Sequence, residues 1–544
     1  MVGYTMMLTD GTVFLPFVHS RFPRRRSSFT LEEINHQYKM KNQILLLSIL
    51  VMGMWSCADD AKEQQAVTPE TSDIMSKADI NDIAYAYLES EGEFKWDYVS
   101  PQVIHAALVH SNNILSIGYQ PAGFQNIEEH IHEIDLSSAE WQKAKASIVS
   151  RIEQSWDQLN IDTEERFIYF DEHLPIVQIS STDLSLVEDL RDMAEVRYTE
   201  PLDYSPEEVQ LRSSAGCGVQ PASNVPAADY DFTHRSPQAK VSWNFLHHNV
   251  EQAWNTAKGD NITLAYIDTG GSRDQENLEG EYTEGESCCR SSQRAGTYYT
   301  GWWWWRKWDG DHDKCGHGTQ MAGLGVAPKG FGYSATGIAH KANTLMIRAT
   351  GDVVINSSNE KNGVKDALVM AGNRSDVKVI SMSIGDVFWS NTVADGVYHA
   401  YNRGKMLVAA AGTSTWFTSW VGVTFPARMS QCVAVTGVKD GSSLRKCNTC
   451  HSGSQVDFVA VMQRSSDNDR TALTLARSGE PVAYVGGSSA ATSMTAAMAT
   501  VIWSTNPSQS RNQVLQKMKD ASQFYPSRNS QFGWGKIDLE DAVN

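Results

Sequence analysis

Apolar and polar positions follow two different patterns along the chain, one in each half. Asn113-Ile-Leu-Ser-Ile-Gly-Tyr119 alternates with the period of a strand, whereas Trp141, Ala144, Ile148 and Ile152 recur at helical spacing within Ala139 to Ser155. Arg166-Phe-Ile-Tyr-Phe170 and Leu174-Pro-Ile-Val-Gln-Ile179 read as strands flanking a short acidic turn. Thr182 is placed to cap a helix running to Met193, and Glu195-Val-Arg-Tyr-Thr199 gives a last strand. The order strand, helix, strand, strand, helix, strand is that of a small ferredoxin-like α+β domain, assigned here to residues 78–204.

Beyond residue 240 the alternation disappears. Apolar runs at Ile262 to Ile267, Thr344 to Arg348, Val377 to Met382, Met406 to Ala410 and Gln431 to Thr436 are separated by helical stretches. A strand covered on both faces has no reason to alternate, so residues 241–544 are expected to form an α/β domain with a mostly parallel sheet between helical layers. Between the halves, residues 205–240 hold Ser213-Ser214, Gly216, Gly218, Pro221, Pro226 and Pro237, the composition of a linker.

The N-terminus adds a different signal. Met40-Lys41 precedes the apolar run Ile44 to Trp55 and then Ser56-Cys57-Ala58-Asp59-Asp60. A short positive start, an apolar stretch too brief to span a bilayer and a small residue before a cysteine make an export signal over residues 40–57. Residues 58–77 read as a polar tether, and residues 1–39 as an upstream extension outside the native chain.

Composition narrows the partners. A formal net charge of −18 over 544 residues leaves no basic excess to neutralise phosphates, which argues against a nucleic-acid partner. Of the eight cysteines, seven lie beyond Cys57, and in an exported protein most should pair. Cys432, inside an apolar strand, is the expected buried free thiol. Cys447-Asn-Thr-Cys450-His451 fits a haem-attachment spacing but sits in a loop, where a local disulfide or a longer-range pair is the expectation.

Three islands carry candidate chemistry. Thr263-Leu-Ala-Tyr-Ile-Asp268-Thr-Gly270 is an apolar strand ending in a carboxylate, at the end of a parallel strand where such sheets bind ligands. Gly316-His317-Gly318-Thr319 places a closely approachable imidazole at a helix start, as a general base requires. Gly486-Gly-Ser-Ser-Ala-Ala-Thr-Ser-Met494 holds three serines at the start of a further helix. An Asp that orients a His, and a His that takes a proton from a Ser, make an activated nucleophile.

These motifs occur in the order Asp, His, Ser, and the region from about Trp243 to Val543 resembles a subtilisin-like serine protease, or subtilase. Ile380-Ser-Met-Ser383-Ile-Gly385 and Phe532-Gly-Trp-Gly-Lys-Ile-Asp538 support the resemblance. It implies a subtilisin-like three-layer domain that needs no cofactor and acts on polypeptide substrates. Asp268, His317 and Ser489 would be catalytic, and Ser383, Ile384 and Gly385 would bind extended substrate. Ser489 is preferred to Ser493 because Asn506-Pro507 then falls where the family's nucleophile helix closes. The ferredoxin-like region resembles a subtilase propeptide, which assists folding and inhibits the enzyme. Residues 40–57 resemble a bacterial lipoprotein signal, which would lipidate Cys57 and tether the protein to a membrane of the cell envelope; an ordinary secretory signal is the other reading.

Departures from the family pattern set further expectations. Ala410-Ala411-Gly412-Thr413 replaces the family's Ala-Ala-Gly-Asn, so Thr413 takes the place of an oxyanion-hole amide. That substitution supports a rival reading, a catalytically weak subtilase fold serving as an envelope binding module. The segment with Cys288-Cys289 and Trp302 to Trp305 is read as a hydrophobic cluster stapled by Cys288 or Cys289 to Cys315, or else as an aromatic contact surface. Asp309, Asp311 and Asp313 invite a structural calcium, but their spacing lacks the glycine and distal glutamate of an EF-hand loop.

Overall fold

The computed structural model describes residues 74–162, 166–206, 217, 229–301, 305–330, 332–413, 421–479 and 482–544. The expected upstream extension, the signal with Cys57, most of the tether and Trp302 to Trp304 lie outside them. Residues 73–544 form one compact unit.

Its centre is a seven-stranded sheet in which every neighbouring pair is parallel, in the order Phe458–Gln463, Cys432–Lys439, Met406–Ala410, Val377–Met382, Thr263–Asp268, Asn343–Arg348, Ser292–Gly296. Alternate side chains explain the unbroken apolar runs. Leu264, Tyr266, Met346, Val379 and Val408 enter a core with helices His317–Val326 and Gly487–Ser504, whereas Ala265, Ile267, Ile347, Ile380 and Ala409 pack with helices Ser358–Asn373 and Asn391–Asn402. The result is the expected three-layer α/β domain. Two of its strands were not anticipated. Phe458–Gln463 carries the same apolar signal as its neighbours, while Ser-Gln-Arg-Ala-Gly at 292–296 is an edge strand whose polar composition hides it.

The N-terminal layer has strands Ile114–Tyr119, Ile168–Phe170, Ile176–Ser180 and Val196–Pro201, all antiparallel, ordered second, third, first, fourth. This is the ferredoxin-like arrangement that the element order implied. Asp183, rather than the expected Thr182, caps the Leu184–Asp192 helix by accepting from Ser185 N–H, since the helix begins one residue later. Helices Lys77–Ser90 and Pro101–Val109 precede these elements. Residues 232–235 and 239–242, read as linker up to residue 240, form a two-stranded antiparallel ribbon.

The N-terminal sheet lies against the two helices that cover one face of the large sheet. Ser116 Oγ meets Thr392 Oγ1 at 2.9 Å, and the Gln178 and Asn362 amides exchange hydrogen bonds of 2.8 and 3.0 Å. Glu200 accepts from Thr392 N–H at 3.2 Å and Asp203 accepts from Ser358 N–H, so carboxylates of one layer cap helix N-termini of the other. Arg197 grips Asp395 through two bonds of 3.0 and 2.6 Å.

Candidate active site

The parallel register brings two chain segments together before any side chain is considered. Met382 pairs with Ile267, so Ser383 and Asp268, the next residues, stand on neighbouring strands at the same carboxyl edge. Each holds one functional side chain. His317 Nδ1 lies 2.8 Å from Asp268 Oδ1, and Ser489 is tied to Ser383 through Ser383 Oγ, which donates to the Ser489 carbonyl at 2.8 Å, and Ser489 Oγ, 3.4 Å from the Ser383 carbonyl. Asp268 and His317 thus meet directly, while Ser489 is held to the residue that follows the neighbouring strand.

Local sequence explains how each side chain is presented. Asp268 is buried, and its Oδ1 also accepts from Thr269 N–H at 2.7 Å. The strand end packs so closely on the His317 helix that a Cβ on Gly318 would stand 2.2 Å from the Gly270 carbonyl oxygen, which only glycine permits. Gly487, at φ +79°, turns the chain into the Gly487–Ser504 helix and brings Ser489 into its first turn. Thr505 caps the helix just before Asn506-Pro507. Ser493 is fully buried and its hydroxyl donates to the Met321 carbonyl at 2.6 Å. That bond locks the two helices together one turn beyond His317 and Ser489.

The electrostatics suit a base. Burial pushes the His317 imidazole towards its neutral form, but the charge and hydrogen bond of Asp268, with smaller contributions from Asp313 and Asp352, hold its pKa above the ordinary 6.5. A carboxylate accepting at Nδ1 fixes the proton there and leaves Nε2 as the basic nitrogen.

Thr413 Oγ1 lies 3.0 Å from Ser488 Oγ and 3.3 Å from where a Cβ on Gly487 would sit, so its hydroxyl stands over the turn preceding Ser489. Within Ser383–Gly385, the Gly385 N–H donates to Val353 O at 3.0 Å and its carbonyl accepts from Ile355 N–H at 3.1 Å. Gly385 thus anchors the segment to the neighbouring chain, and Ile384 is buried.

The cysteines depart from expectation. Cys315 pairs with Cys217, 98 positions earlier, and neither Cys288 nor Cys289 staples the Trp-rich segment; both are free and exposed. The partner comes from the linker, a pairing that spacing cannot reveal. Trp305 is 66% exposed, and Trp302 to Trp304 lie outside the described residues. Cys447 and Cys450 form the local disulfide, which occupies both sulfurs a haem would need, and Cys432 is buried and free. The three aspartates do not form a cation cage. Asp309 pairs with Arg348 and Lys314, Asp311 with Arg273, and Asp313 is surrounded by N–H and hydroxyl donors. Among the described residues no group of three or more His, Cys, Asp or Glu is arranged to hold a metal ion.

The subtilase family model matches residues 259–535. The minor extracellular protease Epr of Bacillus subtilis is 26% identical over 389 residues, covering 70% of this chain and 50% of that protein. Thermitase of Thermoactinomyces vulgaris is 27% identical over 215 residues, 38% of this chain and 66% of that protein. The chain thus spans about half to two thirds of these relatives. Among solved structures, fervidolysin from Fervidobacterium pennivorans, a keratinolytic enzyme related to subtilisin, shares the fold with a TM-score of 0.54 at 16% identity, over 79% of this chain and 60% of that one. With a family model matched over more than half of its length and an Asp268–His317 pair at the carboxyl edge of its parallel sheet, the chain belongs to the subtilase family.

Proposed function

We propose that the chain is a serine endopeptidase. Ser489 Oγ attacks a peptide carbonyl, His317 Nε2 takes the proton and passes it to the leaving amine, and Asp268 orients and stabilises the imidazolium. Water then hydrolyses the acyl-enzyme by the same proton path in reverse. Backbone N–H groups at the start of the Gly487–Ser504 helix, helped by the Thr413 hydroxyl, receive the oxyanion. Ser383 to Gly385 line the extended substrate, and the chemistry requires no cofactor. The observation that carries this reading is the Asp268–His317 hydrogen bond one strand away from the Ser383–Ser489 pair.

The N-terminal layer acts in this reading as an intramolecular chaperone or inhibitor. Its support is the capping of two helices of the C-terminal domain, and the position of Cys217. That residue is bonded to Cys315 two positions before His317, and its N–H donates to the Asp352 carboxylate. Export and lipidation at Cys57, with attachment to the cell envelope, complete the proposal and rest on the sequence signal alone.

A fluorophosphonate probe tests the chemistry. Labelling should disappear in Ser489→Ala and persist in Ser493→Ala; the opposite result moves the nucleophile by one helical turn. No labelling of the folded wild-type protein would instead support the binding-module reading, which the Thr413 replacement favours. Mass determination of the mature N-terminus tests Cys57 and processing.

A further inference from the structure

Asp313 takes no part in the proton path, yet it is completely buried and its carboxylate accepts five hydrogen bonds. Oδ1 receives Thr269 Oγ1 at 3.0 Å, Cys315 N–H at 2.9 Å and Gly316 N–H at 2.7 Å; Oδ2 receives Thr319 N–H at 2.9 Å and Thr319 Oγ1 at 2.6 Å. The donors belong to two segments. Thr269 directly follows Asp268, whereas Cys315, Gly316 and Thr319 bracket His317.

The two segments are laced further around this carboxylate. Thr269 Oγ1 accepts from Gly318 N–H at 2.9 Å, Thr319 Oγ1 accepts from Ser272 N–H at 2.9 Å, and Asp313 N–H donates to Gly271 O at 3.2 Å. Local sequence shows why an outside carboxylate is needed. His317 is the first residue of its helix, and the cap residue Gly316 has no side chain to satisfy the free amides of the first turn. Asp313 supplies that cap from outside the helix, with a formal charge that suits a helix N-terminus.

We propose that Asp313, acting with Thr269, is a positioning residue for catalysis, clasping the helix turn that carries His317 to the strand end that carries Asp268. The proposal rests on the reading of His317 as the general base. Without the clasp the first turn frays and the imidazole leaves the geometry in which it can receive the Ser489 proton, a displacement of the kind that costs about 10²-fold per ångström.

Substitutions at two positions test the clasp on the full chain. Thr269→Val removes the hydroxyl that ties the strand end both to the carboxylate and to Gly318 N–H, and should lower kcat about tenfold or more with KM within about twofold, while Thr269→Ser, which keeps the hydroxyl, restores it. Asp313→Asn should lower kcat similarly. It should also move the acid limb of the kcat/KM profile to lower pH, because one of the three carboxylates acting on His317, Asp268, Asp313 and Asp352, has lost its charge. If Asp313→Asn does not fold, the Thr269 pair decides alone. Variants that fold as the wild type does and keep kcat within about twofold would overturn the role of Asp313. A folded wild-type chain that a fluorophosphonate does not label at Ser489 overturns the triad reading first, so the two failures are distinct.

Discussion

Removing the Thr413 hydroxyl separates a stability effect from a catalytic one. Its oxygen lies 3.0 Å from Ser488 Oγ, and Ser488 is only 1% exposed, so Thr413→Ala leaves a buried hydroxyl without this partner at a cost of about 1 kcal/mol. If the same hydroxyl also donates to the oxyanion, its loss costs the transition state about 2.7 to 4 kcal/mol, or 10² to 10³ in kcat, the magnitude established for such a donor in subtilisin. The shorter reach of threonine puts the expected fall near the lower end, about 10². Because the donor acts on charge that develops only in the transition state, KM should stay within about twofold. The assay is kcat and KM on a chromogenic peptide, normalised to the fraction of enzyme labelled by a fluorophosphonate, beside urea denaturation of each variant. Thr413→Ser keeps the donor and should retain turnover within about threefold. A kcat for Thr413→Ala within threefold of wild type, with the stability loss present, would show that backbone N–H groups carry the oxyanion alone and refute the assignment.

Other outcomes follow from charge and connectivity. Turnover needs neutral His317, so kcat/KM should fall as pH drops through a His317 pKa above 6.5, and Asp268→Asn, which removes the main cause of the elevation, should move that limb down while lowering kcat severely. Arg197→Ala leaves Asp395 buried without its cation and should cost about 3 to 5 kcal/mol in the transition that releases the N-terminal layer, read by urea denaturation or hydrogen exchange; a change below about 1 kcal/mol would contradict a buried pair. Peptide mapping without reductant should recover Cys217 linked to Cys315, and alkylation of the native protein should reach Cys288 and Cys289 but spare Cys432. A Cys288–Cys315 or Cys289–Cys315 peptide would refute this connectivity.

The three site segments were legible because each is a local pattern with a local cause. Asp268 ends an apolar run, His317 lies between glycines that permit close packing, and Ser489 follows a glycine turn that opens a helix. The choice among Ser488, Ser489 and Ser493 needed more, namely the distance to Asn506-Pro507. In the structure the Ser493 hydroxyl donates to the Met321 carbonyl and Ser488 faces Thr413. Less legible was the edge strand at 292–296, which has the composition of a loop because one of its sides has no partner strand.

What the sequence by itself determined is therefore what periodicity, caps and turn residues encode: the central strands, their burial on two faces, the ferredoxin-like order and the three chemical islands. Tertiary structure alone decided which distant groups meet. It joined Cys217 to Cys315, filled the Asp313 carboxylate with donors from two segments, set Thr413 against Ser488, and laid the N-terminal sheet on two helices of the subtilase domain. The reason is that a donor, a thiol or a carboxylate looks the same in sequence whatever it meets, and its partner is set only when strands pair in register and helices close over them.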